Sequence, residues 1–198
     1  MNKVAIYLHP QVFSAEKPLT EINFTKFSYP YYNQVREALA YALSDYPIVP
    51  LKKANINDYL TVHSPEYFHK INLMANNQSL DAISLSLPEL STECRGMLSA
   101  IDLMKEGKLD RAYCFSMVGH HSHKNWGHGY CLLNPQAAAV KYAQSQGFRK
   151  VLIVDWDIHH GDGTQSIFAD DKNTYCVSIH HAMDLYMAKI SDLKAGTT

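Results

Sequence analysis

Val151-Leu152-Ile153-Val154-Asp155-Trp156-Asp157-Ile158-His159-His160-Gly161-Asp162-Gly163-Thr164-Gln165 is the stretch that decides how this chain folds. Residues 151–154 are a continuous apolar run, the strongest strand in the sequence. A run without polar alternation reads as a strand covered on both faces. After the acidic loop that follows come a short helix over 164–168 and a further strand over 175–179. On the N-terminal side, Asn134-Pro135 caps a helix carrying Ala137, Ala138, Val140 and Ala143 and closed by Gly147. Before that, a helical pattern over 90–106 (Leu90, Cys94, Met97, Leu98, Ile101, Met104) stops at Gly107 and leads into a strand over 112–115. Ser64-Pro65 starts another helix, with serine as N-cap and proline at the first helical position. The chain opens with a strand over 3–8 and a helix over 33–45. Strands alternating with helices predict an α/β fold around a mostly parallel sheet, with ligands gathered outside the carboxyl ends of the strands.

The 198 residues carry 18 Lys+Arg against 19 Asp+Glu, with 46% hydrophobic residues. That balance describes one folded domain over 1–198 and excludes a disordered chain, a collagen-like repeat or a strongly basic nucleic-acid binder. No apolar run approaches a membrane span or a signal-peptide core, so a cytoplasmic protein without a membrane partner is expected. Cys94, Cys114, Cys131 and Cys176 form no C-x-x-C pair, which argues for buried thiols over a zinc knuckle or a redox motif.

Of the 11 histidines, eight lie between His120 and His181, in three groups that each follow a predicted strand. In Asp155-Trp156-Asp157-Ile158-His159, the two-residue period of extended chain points both carboxylates and the imidazole to one side. Carboxylate oxygen and imidazole nitrogen suit zinc or another first-row divalent ion. The tandem His120-His121 is ill-placed to ligate one ion and suits general acid–base work, with Asp155 and Asp162 as carboxylates that fix tautomer and basicity. Gly127-His128-Gly129-Tyr130-Cys131 sets glycines beside an aromatic ring, as a wall for a narrow substrate or as a tight turn. His123, Lys124, Asn125 and His128 read as rim residues, and His181, Met183, Tyr186 and Met187 as packing or terminal surface.

These motifs, in this order, resemble the histone deacetylase superfamily, which includes acetylpolyamine amidohydrolases and has a three-layer, arginase-like α/β fold. The match runs from about Leu8 to Ile179. Val62-His63-Ser64-Pro65-Glu66-Tyr67 is similar to the family's H-S-x-E-Y turn. The stronger correspondence runs from Gly119-His120-His121 through Gly129-Tyr130-Cys131-Leu132-Leu133-Asn134 to 154–165. The resemblance implies Asp157 and His159 as zinc ligands, His120 and His121 as the paired histidines around the attacking water, and Asp155 and Asp162 as the carboxylates behind them. It also implies that Gly129 and Tyr130 line an acyl-lysine tunnel. Asp155, Asp157, His159, Ser178 and Ile179 would form a monovalent-cation site for K+. The implied chemistry is metal-assisted hydrolysis of an acetyl-lysine peptide, an acetylpolyamine or a small acetylated amine.

Three departures stand beside the match. Ser116-Met117-Val118 replaces Arg-Pro-Pro, while Gly-Tyr and Asn134-Pro135 replace Gly-Phe and Asn-Asn. The family's third zinc ligand, in Gly-x-Asp, and its transition-state tyrosine are not found before Thr198. The expectation is therefore the N-terminal part of a C-terminally truncated deacetylase-like domain. Its counterpart is a remnant without turnover, or half of a split enzyme completed by a second chain. A two-manganese ureohydrolase would share the fold, but it needs a further aspartate where Gly161 stands.

Overall fold

The computed structural model describes residues 3–8, 41, 56–76, 94–115, 119–129 and 131–182. Within them the order is β1 (Val4–Leu8), α1 (Ile56–Tyr59), α2 (Pro65–Asn76), α3 (Arg95–Lys105), β2 (Arg111–Phe115), α4 (Pro135–Ser145), β3 (Val151–Asp155), α5 (Asp162–Phe168) and β4 (Thr174–Ser178). β1 pairs with β2 and β3 with β4, both in parallel. Each pair is separated in sequence by helix, as parallel pairing demands. The register sets Asp155 opposite Ser178, so the acidic loop and the segment after β4 leave the sheet at the same end.

The helix starts follow from their capping residues. Ser64 Oγ accepts from the Tyr67 amide at 3.2 Å with Pro65 as first helical residue, and Asn134 Oδ1 accepts from the Ala137 amide at 2.9 Å ahead of α4. In α4 the consecutive residues Ala137, Ala138, Ala139 and Val140 are all buried. A helix enclosed on every side needs small side chains, which alanine supplies while also being the best helix former. The main core gathers Tyr59, Phe68, Ile71, Leu98, Ala137, Val140, Ile153 and Phe168.

One expectation is changed. Residues 151–154 read as a strand covered on both faces, yet only the face bearing Ile153 is buried. Leu152 and Val154, with Tyr175 and Val177 across the pair, form an exposed apolar face. Among the described residues nothing packs over that face. The expected helix over 33–45 lies outside the described residues except for Tyr41, as do 116–118, Tyr130 and the Met183, Tyr186, Met187 group. All four cysteines carry thiols, two of them buried and two partly so. Among the described residues no helix is long and apolar enough to cross a membrane.

Candidate functional site

The segment 119–129 folds back on itself because Ser122 and Gly127 form an antiparallel bridge and the His123 amide bonds Trp126 O at 2.8 Å. Its entry is pinned to α5, whose Thr164 amide donates to His120 O at 3.0 Å. A Cβ on Gly163 would lie 2.6 Å from backbone atoms of His121 and Ser122, so glycine is what lets the start of α5 rest on this segment.

Two imidazole–carboxylate pairs result. His120 Nδ1–H donates to Asp155 Oδ2 at 2.8 Å, and His121 Nδ1–H donates to Asp162 Oδ1 at 2.7 Å. The two rings lie with centroids 4.0 Å apart. Burial works against the charged form of His120, but the Asp155 bond and charge outweigh it and hold the ring above its ordinary pKa. Asp155 is held lower for the matching reason: burial pushes its carboxyl up, while His120 and the Asp157 amide pull it down further.

Asp162 is the hub of the site. Besides His121 it accepts from His123 Nε2 at 3.1 Å and His128 Nε2 at 2.7 Å, both on Oδ2. Burial alone would raise its pKa, and the three imidazole donors reverse this and hold the carboxyl far below the usual range. His123 is therefore not a rim residue, while His128 keeps an exposed edge although its Nε2 is bound to Asp162. His123 is 3% exposed, stacked on Trp126 at 4.0 Å, with Ser166 Oγ against its Nδ1. His128 stacks on His121 at 4.4 Å.

β3 ends at Asp155, so Asp157 and His159 stand in the loop rather than on the strand, held by local bonds. Asp155 Oδ1 accepts from the Asp157 amide at 3.0 Å, and Asp157 Oδ1 accepts from the His159 amide at 2.8 Å. The extended two-residue period is thus replaced, after Asp155, by side chains that bond the backbone two residues on. Asp157 and His159 are both exposed, with Oδ1 and Nδ1 3.1 Å apart, and the His159 ring is 5.9 Å from that of His121. Ser178 Oγ accepts from the Gly161 amide at 3.3 Å, and the Ile179 amide donates to Asp155 O at 2.8 Å, which sets both residues at the same strand end. Gly129 adopts φ +53°, and a Cβ there would meet His121 Cδ2 at 2.4 Å, so the backbone lies directly on that ring.

Among the described residues the one trio able to bring three donor atoms within 4.8 Å of one another is His121, His128 and Asp162. His121 and His128 each already hydrogen-bond Asp162 there. Asp157 and His159, whose Oδ1 and Nδ1 are likewise hydrogen-bonded, form a second, two-donor locus. With zinc–ligand distances of about 2.0–2.2 Å, two tetrahedral donors lie about 3.4 Å apart, close to the separation found here.

Gly161→Ala tests the His120 pair without replacing either partner. Gly161 has an ordinary φ of −73°, but its Cβ would stand 2.4 Å from Asp155 Oδ2. The carboxylate must swing away, so the His120 imidazole resonance is expected to move in 15N-detected NMR while the His121 resonance stays in place.

Comparison with known proteins gives a consistent picture. The histone deacetylase domain family model matches residues 28–187. A probable deacetylase of Archaeoglobus fulgidus is 33% identical over 141 residues, 68% of this chain and 39% of that protein. The polyamine deacetylase HDAC10 of Mus musculus is 34% identical over 138 residues, 60% of this chain and 20% of its own length. Among solved structures, the HDA15 HD domain superposes with a TM-score of 0.70 at 22% identity, covering 91% of this chain and 54% of that one. The fold is the one these proteins share, and the chain spans well under half of the curated relatives it matches.

Proposed function

The chain belongs to the histone deacetylase family, and from that membership we propose that it acts as a zinc-dependent amidohydrolase that removes acetyl groups from acetyl-lysine or acetylated amines. The observation that carries this reading is the pair of adjacent rings, His120 and His121, each with its own buried carboxylate. One dyad is common in proteins. Two dyads side by side, beside an exposed Asp–His loop, offer one ring to take a proton and another to deliver one, as metal-assisted amide hydrolysis can use.

Asp157 and His159 would hold the zinc, which when bound polarises an amide carbonyl and raises the acidity of water. Everything else falls to side chains of this chain. Because each Nδ1–H is engaged by a carboxylate, the neutral tautomer leaves Nε2 as the proton acceptor on both rings. His121, with Asp162 behind it, is suited to take the proton from the attacking water. His120, held above its ordinary pKa, is suited to carry a proton to the departing amine nitrogen, without which the C–N bond cannot break. Gly129, whose backbone covers His121, and Tyr130 are proposed to flank the acyl chain. Asp155, Ser178 and Ile179 are proposed, with Asp157 and His159, to hold a potassium ion at the strand end.

Residues 1–198 are proposed to belong to a single domain. The substrate is an acetylated lysine peptide, an acetylated polyamine or a small acetylated amine, the likeness to the mouse polyamine deacetylase favouring inclusion of the polyamines. A second polypeptide that completes the site is also proposed as a partner.

The test is hydrolysis of an acetyl-lysine reporter by the folded chain with added zinc, run beside Asp157→Asn. Turnover is expected to depend on zinc and to fall at least a hundredfold in the variant, which removes the only carboxylate of the two-donor locus. Turnover equal in both proteins would remove Asp157 from the metal site. A folded chain that hydrolyses nothing would mean that the motif is present without the activity.

A further inference from the structure

We propose that His63 is a positioning residue for the histidine segment, a neutral wedge that fixes the tip and the exit of residues 119–134 and so sets where His120 and His121 stand. The inference rests on the reading of those two residues as the acid–base pair.

His63 is 1% exposed, and both ring nitrogens are used in opposite senses. Nδ1–H donates to His123 O at 2.9 Å, while Nε2 accepts from the Asn134 amide at 3.0 Å. Only one form of the ring satisfies both contacts, the neutral tautomer with its proton on Nδ1. A second proton would set an Nε2–H against the Asn134 N–H. The enclosure agrees with this, since burial lowers the His63 pKa to about 4 against the opposing effect of its carbonyl contacts with His123 and Lys124. The ring is packed between Tyr59 and Tyr67, with centroids 6.4 and 5.6 Å away.

What the wedge joins is the point. His123 lies at the turn of the segment and its ring bonds Asp162. Asn134 lies at the other end, where its side chain caps α4 and its Nδ2 donates to Ser122 O at 3.3 Å and Thr164 Oγ1 at 3.0 Å. The Thr164 amide in turn holds His120 O. His63 therefore connects, through Asn134 and Thr164, to the His120 backbone and, through Asn134, to the carbonyl of Ser122 next to His121, without touching substrate. Its neighbours act in the same direction, because the Ser64 amide donates to Lys124 O at 2.9 Å and Tyr67 OH to Leu132 O at 2.9 Å. The turn 62–67 thus grips the histidine segment at its tip and at its exit.

Two conservative variants separate the two contacts. His63→Asn places an amide N–H near the Nδ1 position and keeps the bond to His123 O, whereas His63→Gln places a carbonyl near Nε2 and keeps the bond from Asn134. Both are compared with wild type by 15N-detected imidazole spectra, thermal unfolding and reporter hydrolysis. The expected results are an Nδ1–H tautomer for His63 in the wild-type chain and displaced His121 and His128 resonances in both variants. A fall in kcat of about tenfold with KM changed less than twofold is expected as well. A wild-type Nε2–H tautomer overturns the proposal even if neither variant folds. Variants that lose thermal stability but keep the His121 and His128 resonances would also overturn it, leaving His63 a core residue only. Absence of turnover in the wild type would count against the deacetylase reading, and the spectra would still decide the role of His63.

Discussion

Asp162→Asn is expected to lower the unfolding free energy by about 3 kcal/mol, since removing one partner from a buried charged network costs about 3–5 kcal/mol and hydrogen bonding to the new amide recovers part of it. The shape is unchanged, so the loss follows from donor counting. The carboxylate accepts one N–H on Oδ1 and two on Oδ2. An amide nitrogen in the Oδ2 position would face two donors, from His123 and His128. In the Oδ1 position it faces one, from His121. The second orientation is therefore preferred, and it forces the His121 proton from Nδ1 to Nε2, the atom that must be bare to accept a proton. Stability and hydrolysis are expected to fall together, the latter at least a hundredfold, with the His121 tautomer reversed in imidazole spectra. The pH dependence has a definite sign. A carboxyl held far below its unfolded value of about 3.9 contributes fully above that pH and loses its contribution as pH falls towards the folded pKa. The stability gap between wild type and variant, measured by urea unfolding, should be widest near neutral pH and shrink below about pH 4. A gap constant with pH would mean that the carboxylate charge is not what the three rings hold on to.

The sequence made some of this site legible and not the rest, and the division follows from the range of the interactions. The helices starting at Pro65 and Pro135 and the strand over 151–154 depend on local chemistry, and their residues announce them. The pairing of His120 with Asp155 and of His121 with Asp162 bridges 35 and 41 residues. The motif reading named Asp155 and Asp162 as the carboxylates behind the rings, but which acid serves which ring depends on contacts that only the fold makes. His123 was misplaced at the rim because nothing local says that a bridge between Ser122 and Gly127 turns its ring and that of His128 towards one carboxylate. His63 sits 71 residues from Asn134, and its motif carried no role until the fold brought the two together. In the loop after β3, Asp157 and His159 are held by side chains that capture backbone amides two residues ahead, a competition that strand periodicity alone does not foresee.

Gly119→Ala is expected to destabilise the protein by about 4 kcal/mol or more, a size reserved for changes with a specific steric cause. Gly107→Ala supplies the reference. Both glycines have nearly the same left-handed backbone, φ +65° and +67°, so alanine costs about 1 kcal/mol at either from conformation alone. At Gly107, just past the end of α3, a Cβ meets nothing within 4 Å, and that conformational term should be the whole effect. At Gly119 the Cβ would stand 1.9 Å from Leu133 O and 2.9 Å from its carbonyl carbon. These are backbone atoms at the neck of the histidine segment, next to the capping Asn134, and no side-chain rotation relieves the contact. The neck must open, carrying His120 away from Asp155 and loosening the same exit that His63 holds. Measured side by side by urea unfolding, the excess cost of Gly119→Ala over Gly107→Ala reads the tightness of that neck. A loss near 1 kcal/mol at both positions would mean that residues 119 and 133 do not close against each other, and the positions of both dyads would then need another explanation.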